Sequence, residues 1–117
     1  MTVTITEISA DTGEIYDAVD GGTTAVISIL ARAVAFVTLA GGSSGDDEVT
    51  RPLADAMVTN QVVGGIDSVN KTIGTLSVGD KDLQDMKGQF MNEAKKAAVM
   101  KGYSLDGLQI LFTDSEQ

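Results

Sequence analysis

The sequence predicts a mainly α protein: a small helical bundle around one buried apolar helix, with a short β-hairpin and an extended C-terminal tail. Three observations carry this expectation. The run Ala25–Ala40 (AVISILARAVAFVTLA) holds a single charge, Arg32. Two later stretches place apolar residues three and four apart, the period of an amphipathic helix. Between them lies Ile66–Val78 (IDSVNKTIGTLSV), rich in β-branched residues around Gly74, which reads as a hairpin.

Taken in order, Thr2–Glu7 alternates Thr with Val3 and Ile5, the pattern of a short extended segment. Ser9 and Asp11 can cap a short helical turn whose apolar edge is Ile15, Tyr16 and Val19. Gly21-Gly22 breaks the chain, and Thr23 or Thr24 caps the apolar helix. Within that helix only Ser28, Arg32 and Thr38 are polar. A helix apolar nearly all round is buried on most sides, so Ile27, Leu30, Val34 and Val37 are expected in the core. The run is shorter than the ~20 residues of a membrane span, and its central Arg disfavours insertion. A central helix of the bundle, with no membrane, is the expectation.

Gly41-Gly42-Ser43-Ser44-Gly45 ends the helix in a loop. Ser44 with Asp47, or Asp46 alone, caps the next helix, and Asp46, Asp47 and Glu48 lie at its positive end. Pro52 falls in about the first turn, where its missing N–H costs least. The stripe Val49, Leu53, Ala56, Met57 and Val63 predicts a helix over about 47–63, stopped by Gly64-Gly65. After the hairpin, Asp80 is an N-cap. Leu83, Met86, Phe90, Ala94 and Ala97 then form the apolar stripe of a last helix, with acids early and lysines late. Gly102 is its C′ residue. Residues 1–102 thus form one helical domain, with the hairpin at about 66–78. Residues 103–117 form a tail in which Leu108, Ile110 and Phe112 alternate with Gln109, Leu111 and Thr113 as in a strand. That strand either adds to a sheet edge on a partner, with Leu108, Ile110 and Phe112 as docking residues, or folds back on the hairpin.

Composition narrows the chemistry. The 117 residues fit one domain. No Cys and no His are present, which removes thiolate chemistry, disulfides, the commonest general base and the commonest transition-metal ligand. The net charge is −9, from 17 acids and 8 bases. That disfavours duplex DNA binding through phosphates and anchoring to anionic lipid. The first residues, MTVTITEISADTG, carry neither the basic region nor the apolar segment of a secretory signal.

No catalytic or cofactor constellation stands out. The Gly41–Gly45 loop lacks the Gly-Lys-Ser/Thr of a phosphate loop. Asp80, Asp82 and Asp85 lack the Gly and distal Glu of a calcium loop. Asp46-Asp47-Glu48 reads as a first-turn acid cluster. Met57, Met86, Met91 and Met100 read as core or interface fillers. The expectation is a protein that is not an enzyme and uses no metal or cofactor.

The order of elements, together with Lys71-Thr72-Ile73-Gly74-Thr75-Leu76-Ser77-Val78, the helix after it and the Asp-Asp-Glu start at Asp46–Glu48, resembles the head–tail connector (adaptor or neck) proteins of long-tailed phages and related tailed viruses. The resemblance covers roughly residues 25–102. The first helix is more apolar, and the tail longer and more β-like, than in that family. The resemblance implies a structural virion protein, assembled in the host cytoplasm and resident in the neck between capsid and tail. Such proteins form a homo-oligomeric ring, typically dodecameric, below the portal protein. The ring extends the DNA channel and offers a surface to the next neck or tail-completion protein. The tail would then dock on the portal. DNA would pass without specific binding, since carboxylates on a channel wall repel phosphates. Two other classes stay open: a small acidic interaction module (regulator, inhibitor or DNA mimic), and an enzyme with a carboxylate-bound metal.

Overall fold

A computed structural model describes residues 3–68 and 80–106 of the chain. The described residues are mainly helical, in five helices with no strand among them. Helix α1 spans Ile5–Thr12, α2 Glu14–Asp17, α3 Gly22–Leu39, α4 Asp47–Ser68 and α5 Asp80–Met100.

The expected extended N-terminus is instead the start of α1. Thr4-Ile5-Thr6-Glu7 is a capping box: the Thr4 hydroxyl accepts the Glu7 N–H at 3.2 Å, and the Glu7 carboxylate accepts the Thr4 N–H at 2.8 Å. Two of the donors a helix start leaves unpaired are thereby satisfied. Ser9 and Asp11 therefore lie inside α1 and do not cap the turn that follows, whose N-cap is Gly13 with no side-chain cap. Gly13, at φ 54°, separates α1 from the single turn of α2. Ile15 and Val19 are buried and Tyr16 is half-buried, as its apolar edge predicts.

Neither Thr23 nor Thr24 caps α3. Its N-cap is Gly21, in the left-handed region at φ 93°, with no side-chain cap. The Thr23 hydroxyl instead pairs with the Tyr16 hydroxyl at 2.9 Å. The glycines after α3 and α5 end those helices the same way. Gly42 N–H donates to Val37 O and Gly41 N–H to Thr38 O; Tyr103 N–H donates to Ala98 O and Gly102 N–H to Val99 O. Both are Schellman closures, with Gly41 at φ 110° and Gly102 at φ 97° filling the position a side chain disfavours.

Helix α4 runs past Gly64-Gly65 to Ser68 and carries Pro52 as its sixth residue, in the second turn. Residues 66–68, the expected start of the hairpin, are helical. The remainder of that segment, 69–79, lies outside the described residues.

The centre of the bundle is α4, not α3. α4 packs against α1, α2, α3 and α5. From Val49 to Val62 it buries Val49, Leu53, Ala54, Ala56, Met57, Val58 and Val62, together with the polar Thr50, Asp55, Thr59 and Asn60. α5 contributes Leu83, Met91, Ala94 and Ala98, with Met86, Phe90 and Ala97 half-buried against the same core. The packed residues extend to Leu105, which is 1% exposed, three residues past the expected end of the domain.

α3 buries only four of its eighteen residues, Val26, Ile29, Ala33 and Val37. These sit at spacings of three and four, one stripe of a helix laid on a neighbour. Of the residues expected in the core, Val37, Leu53 and Leu83 are fully buried. Leu30, Val34, Met86 and Phe90 are half-buried. Ile27 is 53% exposed, because its position on the helix faces away from the buried stripe.

Candidate functional site

Two features stand apart from the packed core: an acidic cleft where α1, α4 and α5 meet, and the outer face of α3.

The cleft is built on α4. Asp47, Glu48, Arg51, Pro52 and Asp55 line it from that helix, Asp11 from α1, and Phe90 and Glu93 from α5. Its volume is about 460 Å³ and it opens to solvent. Glu7 and Asp11 are one turn apart on α1, as are Arg51 and Asp55 on α4, so the facing turns set two acids against one arginine and a third acid. The Arg51 guanidinium grips Asp11 with both prongs, Nε to Oδ2 at 2.7 Å and Nη2 to Oδ1 at 2.8 Å, and reaches Glu7 at 3.3 Å. The hydrogen bond from Arg51 holds the Asp11 carboxyl below its ordinary range. The same bond raises Arg51 further above its ordinary value.

Asp55 is the anomaly of the cleft. It is 2% exposed, and its Oδ1 has no hydrogen-bond partner. Burial pushes its pKa up to about 9; the hydrogen bond with Asp11 and the charges of Asp11 and Glu93 act the same way, and Arg51 only partly offsets them. Asp55 is therefore a neutral acid at pH 7, one half of a carboxyl pair that shares a proton with Asp11. A carboxyl displaced this far in an open cleft is a candidate functional group. The second buried oxygen on the cleft side without a partner is Asp47 Oδ1. No group of three or more acids among the described residues has the geometry to hold a metal ion. What the arrangement offers is a proton held on a carboxyl pair and a negatively charged, partly apolar recess that suits an organic cation.

One edge of the cleft is locked to the end of α5. The Asp46 carboxylate accepts the Tyr103 hydroxyl at 2.7 Å and the Ser43 N–H at 3.1 Å. The Tyr103 hydroxyl, first of these, lowers the Asp46 pKa. Burial, with help from Asp46, raises that of the Tyr103 phenol. Lys101 bridges Asp46 at 3.8 Å and Glu48 at 3.2 Å. Gly42 permits this closure, because a Cβ there would collide with the Tyr103 ring carbon Cζ and hydroxyl.

The outer face of α3 presents Thr24, Ile27, Ser28, Ala31, Arg32, Ala35, Thr38 and Leu39, all exposed. Leu39 is 83% exposed. By length and composition α3 could also cross a membrane. Val99 and Met100 add exposed apolar surface at the end of α5.

The docking residues expected from the sequence, Leu108, Ile110 and Phe112, lie outside the described residues. The cleft residues Asp11, Arg51 and Asp55 escape a reading of local patterns, because Arg51 and Asp11 are forty positions apart. The one available signal was Asp55 itself, an acid set within Leu53-Ala54 and Ala56-Met57-Val58. No protein-family model matches the chain, and no curated protein or solved structure matches it.

Proposed function

We propose that the protein is a non-enzymatic structural subunit that assembles with copies of itself into a ring, the connector between the head and tail of a tailed virus. In this reading it sits in the virion neck below the portal protein, offers its other side to the next neck or tail-completion protein, and lets DNA pass without binding it specifically. The observation that carries the reading is the outer face of α3. A helix apolar enough for a core leaves Ile27, Ala31, Ala35 and Leu39 uncovered, and a contiguous exposed apolar face marks an interaction surface. The resemblance to head–tail connectors supplies the ring and its place. The net charge of −9 suits a wall that repels DNA phosphates.

The acidic cleft favours a second reading, a small acidic interaction module that takes up a basic segment of another protein. Light scattering with negative-stain imaging of the full chain separates the two. The connector reading predicts closed rings, dodecameric if the resemblance carries over. A monomer or dimer at all concentrations contradicts it and favours the interaction module. Recovery of the expressed protein in membranes contradicts both and assigns α3 to a bilayer.

A further inference from the structure

We propose that the subunits join head to tail, the outer face of α3 on one copy seating Arg32 in the acidic cleft of the next, against Asp47, Asp55 and Glu93. This deepens the ring reading above and rests on it. The argument starts from what covering α3 requires. Thr24, Ser28, Ala31, Ala35 and Thr38 recur at spacings of four, three, four and three, the 3.5-residue period of a seam that meets another surface along its length. All five are exposed, and Ile27 and Leu39 flank them. Arg32 lies on the same face, one turn from both Ser28 and Ala35. Any partner that covers the seam takes Arg32 out of water as well. A buried guanidinium without an acid is strongly disfavoured, and α3 contains no Asp or Glu. Among the described residues Arg32 makes no ion pair and no hydrogen bond. The partner surface must therefore supply carboxylates.

The cleft has them to spare. Asp11 is committed to Arg51, and Glu48 to Lys101. Asp47 and Glu93 have no cation among the described residues, and the protonated Asp55 adds a neutral acceptor beside them. Asp55 is 2% exposed with Oδ1 unpartnered, and Asp47 Oδ1 is buried without a partner too. These are acceptors left open at a site that would otherwise fill them. Half-buried Phe90 lines the same cleft and offers a ring for a guanidinium to stack on. The opening of about 460 Å³ admits an arginine head group. No residue of α3 lines the cleft, so the two surfaces are separate patches. Contact between unlike patches is heterologous and closes into a ring when the rotation allows. Two α3 faces meeting each other would leave both arginines without an acid, which disfavours a two-fold dimer through this helix.

The test uses the full chain and light scattering. Arg32→Glu places a carboxylate against the cleft and is expected to raise the concentration needed for assembly by at least about tenfold. Glu93→Arg added to Arg32→Glu restores the pair and recovers assembly. Lys95→Glu, a charge reversal away from the cleft, leaves it unchanged. Because the chain has no cysteine, Arg32→Cys with Glu93→Cys in one chain gives, on oxidation, a ladder of covalent multimers. Circular dichroism confirms that each variant is folded. Wild type assembling while Arg32→Glu assembles equally well overturns the interface but leaves the ring reading intact. Disulfide dimers from Arg32→Cys alone overturn the head-to-tail arrangement. Wild type monomeric throughout overturns both proposals.

Discussion

α3 and α4 are neighbours that divide the work of the apolar sequence in opposite ways. α3 has one charge in its eighteen residues, yet only four of them are buried. α4 carries four acids and an arginine over its length, yet almost every residue from Val49 to Asn60 is buried. Burial is decided by how much of a helix its neighbours cover: α4 packs against four helices and most extensively along α5, whereas α3 meets mainly α4, with lesser contacts to α1 and α2. Hydrophobicity states what a helix can tolerate next to it. An apolar helix at the periphery of its own fold is therefore a stronger pointer to a partner than an apolar helix at its centre.

The largest expected effect falls on α4. Leu53→Ala removes a fully buried side chain at the meeting point of the helices and should cost about 2–5 kcal/mol of folding stability. Ile27→Ala on α3 should stay within about 0.5 kcal/mol in the dissociated chain. Urea denaturation of both variants measures the contrast. A similar loss at the two positions would restore α3 as the core.

A smaller effect, specific to α4, comes from Asp55. Its ordinary value is 3.8 and its folded value is about 9. Between those values the folded chain keeps a proton that the unfolded chain has released, so this group's contribution to stability falls as pH rises through the window. Asp55→Asn keeps the shape and a hydrogen-bond donor toward Asp11 without the titration. The variant should be more stable than the native chain by on the order of 2 kcal/mol at pH 8, with the gain shrinking toward pH 5. Below that, Asp11 titrates in turn, and its bond to Arg51 is lost as pH falls, because its folded pKa is depressed. Thermal melts from pH 5 to 9 that show a constant difference would place the proton elsewhere than Asp55.

The contrast between α3 and α4 also marks how far the sequence could be read. The stripe of α5 was legible because Leu83, Ala94 and their neighbours repeat at helical spacing on a helix with one dominant partner, α4. The helix ends at Gly41 and Gly102 were legible because a left-handed residue needs no side chain. The capping box at Thr4–Glu7 was spelled out but masked by the alternation of Thr with Val3 and Ile5. Gly64-Gly65 looked like a stop, but a glycine costs only about 1 kcal/mol within a helix already formed, and α4 continues through both. The cleft was not legible. It depends on α1 lying across the start of α4, which brings Asp11 to Arg51 and Asp55 without any local pattern.

The smallest expected effect on folding is the most telling for function. Ile27→Ser with Leu39→Ser changes two exposed side chains of α3, 53% and 83% exposed, and leaves its buried stripe untouched. The central claim is that this face is covered by a neighbouring copy. Light scattering of the double variant beside the native chain, at matched concentration, tests it directly. The account predicts native helix content, unchanged unfolding of the dissociated chain, and a fall in mass from the assembly to the single subunit. An assembly of unchanged mass would contradict it.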